Sequence, residues 1–199
     1  MVAGTIGYER DVLAFAKVSF ALEFEYINKE FLPFLPDAPA RVLDAGCGVG
    51  QNSAALFKMG YDVVAVEPLG AFLEAAKLQF PELEINWQQD SLPDLKLLTP
   101  RDVLFDFILM DGVWHHLNYS QRKRCIDRLS NLLSPGGVCA ISLRNGPAGK
   151  GTHIFPTSCN ELFKYAKECG LEVVFHVEDQ PSKMPNKHNV TWSRVALRK

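Results

Sequence analysis

An α/β fold built on a mostly parallel sheet follows from three features of this sequence. From Arg41 onward, short apolar runs alternate with longer segments rich in helix formers, the texture of βα units. The 199 residues are 47% hydrophobic and 22% charged, which supplies the core of one full-sized domain at about 150 residues each. The turn Gly46-Cys47-Gly48-Val49-Gly50 follows an apolar run and precedes a helical one, as at the ligand-binding strand tips of open parallel sheets.

Residues 1–40 are helical in character, with Val12, Leu13, Phe15, Ala16, Val18, Phe20, Leu22 and Phe24 too dense for a simple stripe. Pro33, Pro36 and Pro39 end this segment, which reads as a helical flank or lid. Seven strands are expected at residues 42–43, 63–66, 83–87, 105–110, 138–143, 171–177 and 190–197. Between them, residues 53–58, 71–78 and 121–133 repeat apolar side chains at three and four, the helical spacing. A fourth helix starts at Ser158, where Ser158 and Glu161 form a capping-box pattern, and ends at Gly170. Residues 178–189 are polar, contain Pro181 and Pro185 and lack helical period, so the last two strands should form an antiparallel hairpin. No repeat or linker divides the chain, giving one domain in three parts: flank 1–40, binding core 41–145, and C-terminal helix and hairpin 146–199.

Charge and cysteine content narrow the function classes. Lys and Arg number 21 against 23 Asp and Glu, so the net charge of -2 offers no bulk attraction to nucleic acid or anionic membrane. No apolar run approaches the roughly 18 residues of a membrane span, and residues 1–10 lack the plan of a signal peptide, so a cytoplasmic location is expected. Cys47, Cys125, Cys139, Cys159 and Cys169 are odd in number and scattered, without a CxxC. They fit neither a metal site nor a disulfide framework, and read as small buried residues in a reducing compartment.

The glycine turn carries the chemistry. Alternate glycines let a backbone approach a ligand, and the following helix offers free N–H groups. The dinucleotide pattern G-x-G-x-x-G fails, because its last position falls on Gln51 or Ser53. Asp44 stands two residues before the first glycine, where it would repel a pyrophosphate and attract an ammonium or sulfonium. The second strand ends in Glu67-Pro68, where a carboxylate can take two hydroxyls of a diol. The third ends before Asp90-Ser91, where a carboxylate can accept from an exocyclic amine. Cation, diol and amine together describe S-adenosylmethionine. The bland readings are a helix cap for Asp44, a surface acid for Glu67 and a turn acid for Asp90.

Residues 42–50, 63–68, 90–91, 105–117 and 132–143 together resemble the class I, Rossmann-like S-adenosylmethionine-dependent methyltransferases, in order and spacing over about half of the chain. The resemblance implies a seven-stranded, mostly parallel sheet of order 3-2-1-4-5-7-6 with the last strand antiparallel and helices on both faces. It further implies that Gly46, Cys47, Gly48 and Gly50 line the methionine and ribose and that Asp44 holds the amino group. Glu67 and Pro68 would meet the ribose hydroxyls, and Asp90 and Ser91 the adenine. Asp111, delivered by the fourth strand, would join the cofactor-binding set and the catalytic one.

The fourth strand leads into Asp111-Gly112-Val113-Trp114-His115-His116 at the same edge. Methyl transfer from a sulfonium needs an aligned nucleophile and, for a protonated acceptor, a base, so His115 and His116 are the catalytic candidates with Asp111. Their alternative role is to brace the turn. Trp114 reads equally as pocket wall or core. The turn lacks the Asn- or Asp-Pro-Pro-aromatic sequence of enzymes that methylate base or glutamine amines, and no cysteine follows Pro or Thr at a strand end as in cytosine C5 enzymes. Arg144 and Asn145 close the fifth strand on the substrate side, where Arg144 either clamps an anionic group or pairs with an acid of the same rim. Tyr8 is placed as a lid over the site.

Two basic clusters remain: Arg122, Lys123, Arg124 and Arg128, and Lys183, Lys187, His188, Arg194, Arg198 and Lys199. Such runs are usually solvated faces, with an RNA or acidic partner as the alternative. The expected activity is methyl transfer to O, N or S of a small-molecule acceptor, without metal or membrane. The competing readings are an RNA or protein acceptor met through the basic C-terminal patch, and a non-catalytic cofactor-binding subunit. Oligomeric state and acceptor identity are not legible.

Overall fold

The computed structural model describes residues 2–99, 104–184 and 187–199; Met1 of the predicted flank and Pro185 of the predicted hairpin connection lie outside them. In chain order the elements are α1 (Val12–Phe20), α2 (Phe24–Ile27), β1 (Arg41–Ala45), α3 (Gln51–Lys58), β2 (Asp62–Val66), α4 (Gly70–Gln79) and β3 (Asn86–Gln88). They continue with β4 (Phe105–Met110), α5 (Tyr119–Leu132), β5 (Leu133–Asn145), α6 (Cys159–Glu168), β6 (Glu172–Pro181) and β7 (Thr191–Arg198). The sheet order is β3-β2-β1-β4-β5-β7-β6, as predicted. Strands β3, β2, β1, β4 and β5 run parallel because a helix or long segment returns the chain between them. Strand β7 is antiparallel to both neighbours, the outcome a short polar connection allows.

Strand alternation sorts the apolar residues onto two faces. Leu43, Val64, Ile108, Ile141 and Val195 face α5 and α6, in one core with Ile126, Leu129 and Leu162. Val42, Val63, Phe107, Leu109 and Ala140 face the other way, in a core with Phe24, Phe31 and Leu56. Each fully buried Leu or Ile contributes about 1.5–3 kcal/mol, so this double covering fixes the register that aligns the strand tips. In that register Asp44 stands beside Ala65 and Leu109.

Three local expectations differ. Strand β3 is only Asn86–Gln88, because residues before it close turns, with Leu83 N donating to Phe80 O and Ile85 N to Leu83 O. Strand β5 starts at Leu133 despite Pro135 and Gly136, because Leu133 pairs with Phe105 and the Gly136 and Gly137 backbones bond Lys199. The predicted capping box at Ser158 does not form: Ser158 makes no side-chain cap, and Glu161 turns instead to Arg122 at 2.8 Å. A capping box does close α5, where the Asn118 side chain accepts from Gln121 N and Gln121 accepts from Asn118 N.

The flank is helical as expected. Asp11 Oδ1 accepts from Ala14 N at the start of α1, whose Ala16 packs with Val49 and Phe72. All five cysteines are free thiols, four buried and Cys169 half-buried. Among the described residues no helix is long and apolar enough to cross a membrane.

Candidate active site

A cavity of about 510 Å³ opens at the C-terminal ends of β1, β2, β4 and β5, at the point where strand order reverses around β1. Its floor starts with the glycine turn, held down by Gly46 N and Cys47 N donating to Val66 O at 2.8 and 2.9 Å. Gly46 and Gly48 have φ of 86° and 57°, and a Cβ on Gly46 would strike Val113. Gly46, Cys47 and Gly48 line the cavity as expected, but Gly50 does not. Gly50 lies against the Trp87 ring, with no room for a Cβ, so its role is to let α3 approach β3.

Four carboxylates gather on this floor. Glu67, after β2, accepts from Gly48 N at 3.1 Å and Leu69 N at 2.9 Å, locking two loops together on the cavity wall. Burial pushes its carboxyl up to about 7. Asp44 is buried and off the cavity wall, so it acts on a ligand from beneath the wall rather than by lining it. It accepts from Ser53 Oγ at 2.6 Å, and burial, aided by the charges of Asp111 and Glu67, pushes it up to about 7. Asp111 lines the cavity and accepts from Ser142 Oγ at 2.6 Å and Asn52 Nδ2 at 3.5 Å. Asp90 and Ser91 also line it, with Asp90 folded onto its own turn by bonds from Ser91 N and Leu97 N, both 2.7 Å. Pro68 lies on the same wall. Asn52, Ser53 and Ser142 were missed from sequence; the polar run Gln51-Asn52-Ser53 directly after the glycine turn was the available signal for the first two.

The roof is assembled from distant segments. The turn Trp114–His116 brings both histidines onto the cavity wall. His116 Nδ1 bonds the His153 carbonyl at 2.8 Å, so Nδ1 carries the proton and Nε2 accepts from the Tyr8 hydroxyl at 3.0 Å. Burial lowers the His116 pKa and raises that of Tyr8, which keeps both neutral. His115 is driven well below its ordinary value by burial, and its Nδ1 is buried with no hydrogen-bond partner among the described residues. Tyr8 meets Phe15 and Phe72 edge-on, and those two rings stack at 4.7 Å above the glycine turn.

Two substrate-side expectations are corrected. Trp114 is fully buried in the core under α5 and is not a pocket wall, because its aromatic area is worth more there. Asn145 does not reach the cavity; its amide accepts from Thr157 N at 2.9 Å and donates to Thr157 O at 3.1 Å. Arg144 does line the cavity, and among the described residues its guanidinium bonds the carbonyls of Gly146 and Pro147.

The first basic cluster is occupied internally. Buried Arg122 pairs with Glu161 and donates to the carbonyls of Trp114, Phe155 and Pro156, bracing the histidine turn. Lys123 pairs with Glu168, Arg124 with Asp94, and Arg128 bonds the carbonyls of Leu95 and Leu98. Of the second cluster, Lys183 and Arg194 both pair with Glu30 and Lys199 bonds Leu133 O.

Residues 42–137 match the methyltransferase domain family. A ubiquinone biosynthesis O-methyltransferase of Rickettsia typhi is 29% identical over 127 residues, 62% of this chain and 49% of that protein. The chain thus spans about half the length of the curated relatives it matches. Among solved structures, a TehB-like methyltransferase from Corynebacterium glutamicum superposes with a TM-score of 0.70 at 23% identity, over 96% of this chain and 97% of that one. The cyclase SpnF superposes at 0.77 with 12% identity, over 100% and 96%. These likenesses show the fold, which hosts more than one chemistry. The methyltransferase-domain match over residues 42–137, the methyltransferases among the similar proteins and the sheet order together support a class I, Rossmann-like S-adenosylmethionine-dependent methyltransferase.

Proposed function

We propose that this chain transfers a methyl group from S-adenosylmethionine to an oxygen, nitrogen or sulfur of a small molecule. The observation that carries the reading is the acidic floor: Glu67, Asp90 and Asp111 on the wall and Asp44 beneath it, in a cavity roomy enough for the cofactor and a compact acceptor. A pyrophosphate would be repelled by these groups, whereas a ligand with a sulfonium, an ammonium and a ribose diol suits them. When bound, S-adenosylmethionine supplies a methyl group activated for in-line displacement.

The chain's own residues then have separable tasks. Glu67 would hold the ribose hydroxyls, keeping its backbone bonds to Gly48 and Leu69. Asp111 would hold the amino group, oriented by Ser142 and Asn52, while Asp44 adds negative potential from below through Ser53 and α3. Asp90 and Ser91 would meet the adenine edge. Phe15 and Phe72 exclude water above the glycine turn. Where the acceptor carries a proton, Tyr8 takes it as it passes its own to His116 Nε2, and the His153 carbonyl holds the resulting imidazolium through Nδ1.

The concave cavity and the internal use of Arg122, Lys123, Arg124 and Arg128 favour a small acceptor over a nucleic acid. The test is an acceptor screen read as S-adenosylhomocysteine release. The reading predicts turnover with a compact nucleophile; binding of cofactor with no turnover across phenols, amines and thiols would favour a non-catalytic role.

A further inference from the structure

Resting on the methyl-transfer reading, we infer that Arg144 is the specificity-determining residue for the acceptor, and that the acceptor carries a carboxylate on an apolar body. The basic side chains around the cavity divide by whether a counter-charge is already present. Lys150 pairs with Asp11 at 2.7 Å, and Lys183 and Arg194 share Glu30 at 3.0 and 3.3 Å. Lys187 is solvent-exposed, where water satisfies its charge. Arg144 is half-buried, lines the cavity, and has no ion pair among the described residues.

Its hydrogen bonds position it without neutralising it. Two nitrogens donate to neutral carbonyls of its own turn, Gly146 O at 3.5 Å and Pro147 O at 2.7 Å. A guanidinium has five N–H donors in a planar fork, so three remain for a ligand. Arg144 lines the same cavity as Tyr8, His115 and His116, and its charge acts on all three. None of those three side chains carries negative charge, so a partly desolvated cation faces neutral groups across open space. A carboxylate matches such a fork in shape and charge, with two parallel bonds.

The surrounding wall says what the carboxylate is attached to. Trp192 is the cross-strand partner of Arg144 in the β5–β7 pairing, and Val113, Met184 and Val190 continue the apolar surface. The cavity is therefore acidic where a cationic cofactor fits and cationic at the acceptor end, where Arg144 is the half-buried cation without an ion pair among the described residues, with an apolar surface between.

The test follows the arginine Nε–Hε signals of the S-adenosylhomocysteine-loaded protein by NMR while benzoate, or its neutral isostere benzamide, is titrated in. Benzoate is expected to shift the Arg144 signal saturably and to bind about tenfold or more tightly than benzamide. Arg144→Gln should remove that preference and Arg144→Lys should restore part of it, with retained S-adenosylhomocysteine binding showing that each variant is folded. Equal affinity for benzoate and benzamide, no benzoate binding, or benzoate binding unchanged in Arg144→Gln would overturn the assignment. If S-adenosylhomocysteine itself does not bind, the methyl-transfer reading falls, and the same titration on the unloaded protein still decides Arg144.

Discussion

The floor of the cavity gathers carboxylates at strand tips, whereas the roof gathers cations and histidines from segments far apart in sequence. Asp44, Glu67 and Asp111 each stand at or just past the end of a neighbouring parallel strand, so the sheet alone brings them together. The roof depends on contacts such as Lys150 with Asp11, 139 residues apart, and Tyr8 with His116, 108 apart. The difference separates two jobs. A floor fixed by the sheet holds a constant ligand, and a roof closed by side-chain contacts sets what else may enter.

The largest effect is expected at the roof's proton relay. His116→Ala should lower kcat about 10²–10⁴-fold, the usual worth of a positioned base, while cofactor affinity stays within about twofold. Steady-state kinetics beside calorimetry checks it; loss of affinity instead would move His116 to the floor. Next in size is the pH dependence of the floor. Asp44 and Glu67 sit at about 7 without ligand, so raising pH through 7 adds negative charge. S-adenosylmethionine should therefore bind about tenfold more tightly at pH 8 than at pH 6, and the uncharged-sulfur product S-adenosylhomocysteine less steeply. Equal slopes for the two would show that the floor does not sense the sulfonium.

The smallest effect concerns stability. From the ordinary carboxylate range near 4 up to about 7, folded Asp44 holds a proton that the unfolded chain has lost, so its contribution to stability falls as pH rises across that window. Asp44→Asn removes its share of the slope, with Glu67 supplying the remainder, and should raise the unliganded melting point at pH 8 by roughly 2–4 °C per kcal/mol recovered, while weakening cofactor binding. A thermal melt across pH 5–8 decides; an unchanged slope would mean that Asp44 is ionised throughout.

The same contrast explains what the sequence revealed. Strand runs, the glycine turn and the acids near the strand ends are local patterns that carried the family resemblance, and the resemblance in turn implied the sheet order that the structure has. Gly50 was misplaced because spacing does not distinguish a residue beside a ligand from one packed under it; the Trp87 ring decides that. Asn145 was misassigned for the same reason, and burial decides Trp114 for the core over the pocket wall. The basic run on α5 looked like a surface, yet Arg122 is buried because Glu161 and three carbonyls converge on it from 33 residues or more along the chain and from Trp114. Such convergence leaves no periodic mark.

The most direct measurement of the central claim is isothermal calorimetry of S-adenosylmethionine and S-adenosylhomocysteine on the wild-type chain and Glu67→Ala. One molecule of either ligand should bind per chain, and Glu67→Ala should weaken both by about 10–100-fold, equal to the ~1.5–3 kcal/mol of a hydrogen bond to a charged group. Binding by neither ligand, or full affinity in Glu67→Ala, would contradict the account.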